Sequence, residues 1–430
     1  MDDQNRNVSV RLDLEMIREL IAEEDPDVEV LELDESPGSG RGDNYTSMLY
    51  RLGVKGRRRS NSEPWEKSII YKVLPDSKEL RDAYKNELLF MNEVVFYTKV
   101  WPALMDLQSN GRRVFDGLAK VYIAKPDLIA MEDLKAKGFK MADRKKGLQV
   151  DKLKAVLKAL AGFHALSLTL RESRPEVFAR LSGSDATQSV QETLFRVENE
   201  DWYRQYYRTA TSNALKMVSE TLPADVKPSR SEILAKFKDF LGEDKFFRTM
   251  CELAAQQGPL TVFCHGDCWT NNFLFKEKTS HDSEQAVCLV DFQLMRVGSL
   301  ALDLAYLLYC CTTGQVRRVF MTQLLQHYHR HLMSALYVLD PAAEATRDPA
   351  TMWSLLTEEM RRCGRFGLGL ALDILPISTC TSDQAPDLYV AHKDDVPDEE
   401  GRALAPPPGG AECARLMTDL VVELVRNRAL

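Results

Sequence analysis

Several features that would point to other functions are missing from this chain. It has no excess of positive charge: 56 Lys and Arg against 64 Asp and Glu leave a net charge of −8, so no global basic field recruits nucleic acid or an acidic membrane surface. Its nine cysteines are scattered from Cys251 to Cys413 with no CxxC pair. Cys264 and Cys268 lack a second pair to complete a zinc site, and an odd, dispersed set reads as reduced thiols in an intracellular protein. The opening MDDQNRNVSV has no charged-then-apolar build, and no apolar run approaches the length that spans a bilayer. Together these predict a cytoplasmic protein with neither a nucleic-acid nor a membrane partner. There is no GK[ST] phosphate loop and no internal repeat. What is present is a 430-residue chain that is 44% apolar, enough for two or three domains and a large core.

The chemistry-bearing residues concentrate between Thr261 and Gln293, in TVFCHGDCWTNNFLF…AVCLVDFQ. Asp267 is followed by Asn272 five residues on and by Asp291 after a polar insertion. Short apolar runs flank each of them: Val262 and Phe263, Phe273 to Phe275, and Val287 to Val290. That pattern predicts strand ends bringing two carboxylates and a carboxamide to one edge. Oxygen ligands so gathered suit magnesium, which takes one or two protein carboxylates and completes its shell with water and phosphate oxygens. His265 reads as a scaffold residue of the loop, and Asn271 as loop-shaping only.

Upstream, Leu12, Met16, Ile17, Leu20 and Ile21 have helical spacing up to Pro26, and a strand is expected over Val28 to Leu33. Gly38, Gly40 and Gly42 then separate it from a strand at about Tyr45 to Leu52. Such a turn can fold over phosphates, because glycine lets backbone N–H groups approach closely; a plain hairpin turn is the other reading. KGRRRSNSEPWEK reads as a solvated hairpin loop, and SIIYKVLP as a strand carrying Lys72, which needs an anionic partner there. The helix expected from Lys78 to Val100 offers Glu87 and Glu93. They lie about 120° apart, so only one can face Lys72, and their neighbours do not decide which.

Downstream, strands are expected at Leu118 to Ile123 and in DLIAMEDLKAKGF, followed by the polar linker KAKGFKMADRKKG. A helix from Asp151 to Leu170 carries His164 within its apolar face, as a core histidine buttressing the catalytic loop. Trp202, Tyr203, Tyr206 and Tyr207 recur at helical spacing, as helix-packing core or as an aromatic wall for a small molecule. Helices are expected over Gln315 to Leu339, Thr351 to Phe366, LGLALDILP and Ala411 to Arg426, with a mobile loop from Lys393 to Gly410.

The spacing HGDxxxxN followed by DF resembles the catalytic part of protein kinases, with HGD for HRD and DFQ for DFG. The longer string HGDCWTNNFLF is similar to the ecdysteroid kinase-like family, which is related to choline and aminoglycoside phosphotransferases. This resemblance implies an α+β, bilobal protein-kinase-like fold, with a small β-rich N-lobe (1–136) and a larger, mainly helical C-lobe (137–430). It implies ATP and Mg2+ as cofactors and a small-molecule hydroxyl acceptor, an ecdysteroid or similar polyhydroxylated compound. A choline, ethanolamine or xenobiotic acceptor, a nucleotide-binding pseudokinase and a steroid carrier stay open as alternatives. By the same resemblance Asp267 orients the acceptor hydroxyl, Asn272 and Asp291 hold metal, and Lys72 contacts the nucleotide phosphates under the glycines. FMNEVVFYTKVWP selects Glu93 as the partner of Lys72, MEDL makes Glu132 and Leu134 the adenine hinge, and Asp303 supports the catalytic loop. Protein substrates are disfavoured, because no APE-type segment follows DFQ.

Overall fold

Alternating apolar and polar residues build an antiparallel sheet in the first third of the chain. Its strands are β1 (Val28–Pro37), β2 (Met48–Arg58), β3 (Pro64–Val73), β4 (Val121–Lys125) and β5 (Leu128–Glu132), in the order β1-β2-β3-β5-β4. The period of two is plain in β5. Leu128 and Ala130 join one core on the outer face, whereas Ile129 and Met131 join the main core on the other. Helix α1 (Leu14–Glu24) covers the outer face with Ile17 and Ile21. The Asp13 carboxylate starts it, accepting from the Met16 N–H at 2.9 Å. The expected solvated loop KGRRRSNSEPWEK is mostly strand, with Lys55 to Arg58 and Pro64 to Lys67 paired across the hairpin and only 59–63 turning. Its charges stay in solvent because alternate residues of an edge-facing ribbon need no burial: Arg57, for example, pairs with Glu29 at 2.7 Å. This computed structural model describes residues 10–38, 47–75, 78, 81, 82, 85–109, 111–277, 285–381 and 409–430. Gly40, Gly42 and nearly all of the expected loop from Lys393 to Gly410 lie outside the described residues.

Helix α2 (Asn86–Val95) leads into a π-helical turn (Phe96–Val100) and then α3 (Trp101–Leu107). The helical run expected to end at Val100 continues through Pro102. Trp101 donates back five residues to the Phe96 carbonyl, and the proline ring then occupies the first turn of α3, where it is tolerated.

The rest of the chain is mainly helical. It contains β6 (Phe139–Met141), α4 (Val150–Ser173), α5 (Pro175–Leu181), α6 (Glu200–Thr221), α7 (Arg230–Phe240), α8 (Phe246–Ala255), β7 (Thr261–Cys264), β8 (Phe273–Lys276), β9 (Val287–Leu289), β10 (Arg296–Ser299), α9 (Leu300–Cys310), α10 (Gly314–Leu339), α11 (Ala343–Thr346), α12 (Pro349–Thr379) and α13 (Ala411–Arg426). Strands β6-β8-β9 form one small sheet and β7 pairs with β10. Contrary to the sequence reading, α4 is long and apolar enough to cross a membrane, with a mean hydropathy of 1.3. Its apolar side chains are instead enclosed by protein, as Val156, Leu160, Phe163 and Leu166 show.

The two helices expected on either side of Phe366 are one. Glycines that look like breaks in GRFGLGLALDILP are contact points: a Cβ on Gly367 would lie 2.8 Å from the Ala305 carbonyl oxygen, and one on Gly369 2.4 Å from Met250 Sδ. Close approach of α9 and α8 compensates for the low helix propensity of glycine.

Candidate active site

The HGD loop, 265–272, connects β7 to β8 and is pinned from beneath by Asp303. Its Oδ2 accepts from the His265 N–H at 2.6 Å and its Oδ1 from the Gly266 N–H at 2.9 Å. His164 Nε2 donates to the same Oδ2 at 3.1 Å, and Tyr328 Oη lies 2.8 Å from His164 Nδ1. Burial alone would raise the Asp303 carboxyl; the hydrogen bond and charge of His164 and the loop's donors outweigh it and hold the group below the usual range. The glycine of HGD has a steric cause. Gly266 has φ 86°, and a Cβ there would lie 1.8 Å from the Leu294 carbonyl oxygen, so the arginine of the protein-kinase motif cannot stand here.

His265 is buried, which lowers its imidazolium pKa, and its Nε2 lies 3.0 Å from the Val290 carbonyl while Nδ1 accepts from the Asp267 N–H at 3.2 Å. Nε2 therefore ties the loop to the segment before Asp291 and Nδ1 braces the loop itself, so both ring nitrogens are engaged within the protein. Asp267 Oδ1 accepts from Tyr306 Oη at 2.8 Å and Oδ2 from Asn272 Nδ2 at 2.8 Å. Burial and the nearby Asp291 push its carboxyl up to about 7, against these two bonds. Because the Asn272 amide nitrogen is turned to Asp267, its Oδ1 is the atom left for a cation.

Lys72 lies on β3 and α2 carries Glu93. Lys72 Nζ is 2.9 Å from Glu93 Oε2 and 3.0 Å from Asp291 Oδ1, which brings the three sequence positions together. Glu87 points away, with its side chain 68% exposed. Burial opposes the Lys72 charge, but Asp291 and Glu93 more than restore it and hold the ammonium well above its ordinary pKa. Burial pushes the Glu93 carboxyl up, with Lys72 opposing. Asp291 adopts φ 70°, a left-handed conformation uncommon outside glycine. The next residue, Phe292, stacks on Phe96 with ring centroids 3.7 Å apart. The π-helical turn thus carries the ring that anchors the acid.

A cleft of about 410 Å³ opens between the sheet and this loop. Leu49, Ile70, Ala119, Met131, Leu274 and Val290 give it apolar walls, and Lys72, Asn271, Asn272 and Asp291 line its polar end. Gly38 lies at its rim, its N–H bound to the Leu49 carbonyl at 2.8 Å. Glu132 and Leu134 line the opposite edge. The Glu132 N–H already donates to the Lys120 carbonyl at 2.8 Å, so a ligand here would meet its carbonyl. Asp133 holds this edge, accepting from Arg51 Nε at 2.8 Å and Ser68 Oγ at 2.7 Å.

Sequence reasoning passed over two residues. Asn271, read as loop-shaping, has a buried Nδ2 with no partner among the described residues and lines the cleft; the double Asn was the available signal. Tyr306, the other partner of Asp267, stands three residues after Asp303 on the same helix face, but only the packing of α9 against the loop reveals its contact.

The ecdysteroid kinase-like family matches residues 41–340. The chain belongs to that family. No curated protein matches this family member. Among solved structures, a Plasmodium vivax ethanolamine kinase is 13% identical with a TM-score of 0.39, over 82% of this chain and 78% of its own. A microcompartment-associated aminopropanol kinase is 11% identical with a TM-score of 0.39, over 97% and 98%. An ADP-bound aminoglycoside phosphotransferase is 14% identical with a TM-score of 0.29, over 83% and 99%. The five-stranded antiparallel sheet followed by a mainly helical remainder is the α+β, bilobal arrangement expected for this kinase-like family.

Proposed function

We propose that this protein transfers the γ-phosphoryl group of ATP to a hydroxyl of a small molecule, of the polyhydroxylated, ecdysteroid-like class that its family's name denotes. The observation that carries this reading is the convergence of Lys72, Glu93 and Asp291 beside Asp267 and Asn272 at the polar end of one apolar-walled cleft. Adenine fits between the apolar walls, against the Glu132 carbonyl and the Leu134 edge. Lys72 and the rim at Gly38 meet the phosphates. The buried, unpartnered Nδ2 of Asn271 suits a nucleotide oxygen.

Asn272 Oδ1 and Asp291 form the kind of sparse oxygen set that magnesium occupies together with phosphate oxygens. Bound there, the ion would neutralise charge on the nucleotide phosphates. Asp267 takes the proton of the attacking hydroxyl, and Tyr306 and Asn272 fix the orientation of its carboxylate. Lys72 offsets phosphate charge while Glu93 keeps it in place. The nine buried, unpaired cysteines support action in the cytoplasm.

The test is a mass-spectrometric screen of ecdysteroids, choline, ethanolamine and aminoglycosides with magnesium-ATP, beside Asp267→Asn. A phosphate-sized gain present in the wild type and reduced at least 100-fold in the variant supports the reading. ATP binding with no product from any acceptor favours a pseudokinase, and absence of ATP binding favours a carrier.

A further inference from the structure

Asn92 stands beside Glu93 on α2 and is only 2% exposed, yet no step described above uses it. An amide buried in a helix as apolar as this one must satisfy its donors and its acceptor inside the protein. Its Nδ2 lies 3.1 Å from the Gln191 carbonyl, 3.1 Å from the Gln293 carbonyl and 2.9 Å from the Met295 carbonyl, and its Oδ1 accepts from the Gln191 N–H at 3.0 Å. These partners are main-chain groups distant in sequence, on two stretches that are neither helix nor strand at those residues. One side chain therefore joins three parts of the chain: α2, the stretch at Gln191 and the stretch that follows Asp291. A short amide suits this place, because Asp would set a carboxylate against three carbonyls and Leu would satisfy none of the four groups.

The stretch so held is the one that carries Asp291. Gln293, whose carbonyl Asn92 binds, donates through Nε2 to Asp291 Oδ2 at 3.3 Å, and Asp291 Oδ1 is the oxygen 3.0 Å from Lys72 Nζ. On the other side, Glu93 follows Asn92 and meets Lys72 at 2.9 Å, and the Phe292 N–H donates to the Glu93 carboxylate. Phe96, one turn after Asn92, carries the ring that stacks on Phe292. The Gln191 stretch is anchored independently, since Arg296, buried and next after Met295, donates through Nε to Glu192 at 2.7 Å. Glu93 and Asp291 thus reach Lys72 from two separate elements, and Asn92 is a buried polar tie between those elements.

We propose that Asn92 is a positioning residue for the nucleotide phosphates: by keying α2 to the stretch after Asp291, it sets two carboxylates about Lys72 and so holds the ammonium at the polar end of the cleft. This rests on the phosphotransferase reading above. Asn92 does not line the cleft, so it acts through Glu93 and Asp291. The opposite edge of the cleft, at Glu132 and Leu134, is built from β5 and the residues after it and contains no part of this junction. The effect of Asn92 is therefore confined to ligands that carry phosphates.

Asn92→Ala tests this through ligand affinity, measured by titration calorimetry on the full chain. N92A should raise the Kd for magnesium-ATP at least 5-fold and leave the Kd for adenosine within 2-fold, whereas a variant that merely loosened the fold would weaken both. In a double-mutant cycle with Glu93→Gln, N92A should have less than half its wild-type effect on the magnesium-ATP Kd, because one of the carboxylates it positions is gone and residues acting as a unit are non-additive. An unchanged magnesium-ATP Kd, an equal loss of adenosine affinity, or the same fold-change in both backgrounds would overturn the proposal. If N92A does not fold, Asn92→Ser, which keeps one short donor, takes its place in the same cycle and should raise the magnesium-ATP Kd at least 3-fold; no change there overturns the proposal. Failure of the wild type to bind magnesium-ATP removes the phosphotransferase reading and this role with it, whereas wild-type binding with additive variants removes the role of Asn92 alone.

Discussion

Replacing Asp303 by Asn should disable the protein without touching a substrate. The carboxylate accepts three hydrogen bonds, from the His265 and Gly266 N–H groups at 2.6 and 2.9 Å and from His164 at 3.1 Å. Asn keeps one acceptor oxygen, which best remains at the Oδ2 position and serves His265 and His164. Its amide nitrogen then faces the Gly266 N–H, donor against donor. One charge-assisted bond is lost, worth about 1.5–3 kcal/mol, and one buried N–H is left unpaired, costing about 1–3 kcal/mol. The sum, roughly 2.5–6 kcal/mol, is a large share of an ordinary stability of about 5–15 kcal/mol. The Gly266 peptide must also shift, and Asp267 follows it in sequence; a displacement near 1 Å can cost about 100-fold in rate.

Thermal unfolding and acceptor turnover measure the two effects. There is a pH signature as well. The folded Asp303 carboxyl lies below its unfolded value, so its contribution is complete above the unfolded pKa, near 4, and fades as pH falls through the folded pKa. D303N should therefore lose stability at neutral pH and show a shallower acid limb. A variant that melts within about 1 °C of the wild type and retains turnover would refute the role of Asp303 as the clamp of the loop.

Further outcomes follow from the same geometry. Gly266→Ala should yield no active protein, because its Cβ would fall 1.8 Å from the Leu294 carbonyl oxygen; soluble, active G266A would show that the loop can be rebuilt. Glu93→Gln should raise the KM for ATP at least 10-fold through loss of a buried charge partner at 2.9 Å from Lys72, whereas Glu87→Gln, on an exposed side chain, should change it less than 2-fold. Equal effects in steady-state kinetics would contradict this assignment. Chelation of magnesium should abolish turnover in the wild type, and Asp291→Asn should need at least 10-fold more magnesium for half-maximal rate; a magnesium-independent rate in either protein would remove Asp291 as a metal ligand.

The sequence alone carried whatever rests on period and spacing. Strand alternation placed Lys72, helical spacing described α4 and α13, and the separations Asp267, Asn272 and Asp291 marked the loop. Those signals are local, because a side chain's direction repeats every two residues in a strand and every 3.6 in a helix. Glu87 and Glu93 have equally apolar neighbours, so nothing local distinguishes them; the docking of α2 against β3 turns Glu93 to Lys72 and leaves Glu87 in solvent. The glycines of α12 read as breaks until α8 and α9 pack against them. Tyr306 meets Asp267, and Tyr207 meets Asp373, only because elements far apart in the chain are packed together. Composition and period determined which segments form and which acids stand near the catalytic loop. Which acid is paired, which is clamped and which is left in solvent was decided by tertiary packing, since hydrogen bonds and charge coupling depend on distances that no local pattern encodes.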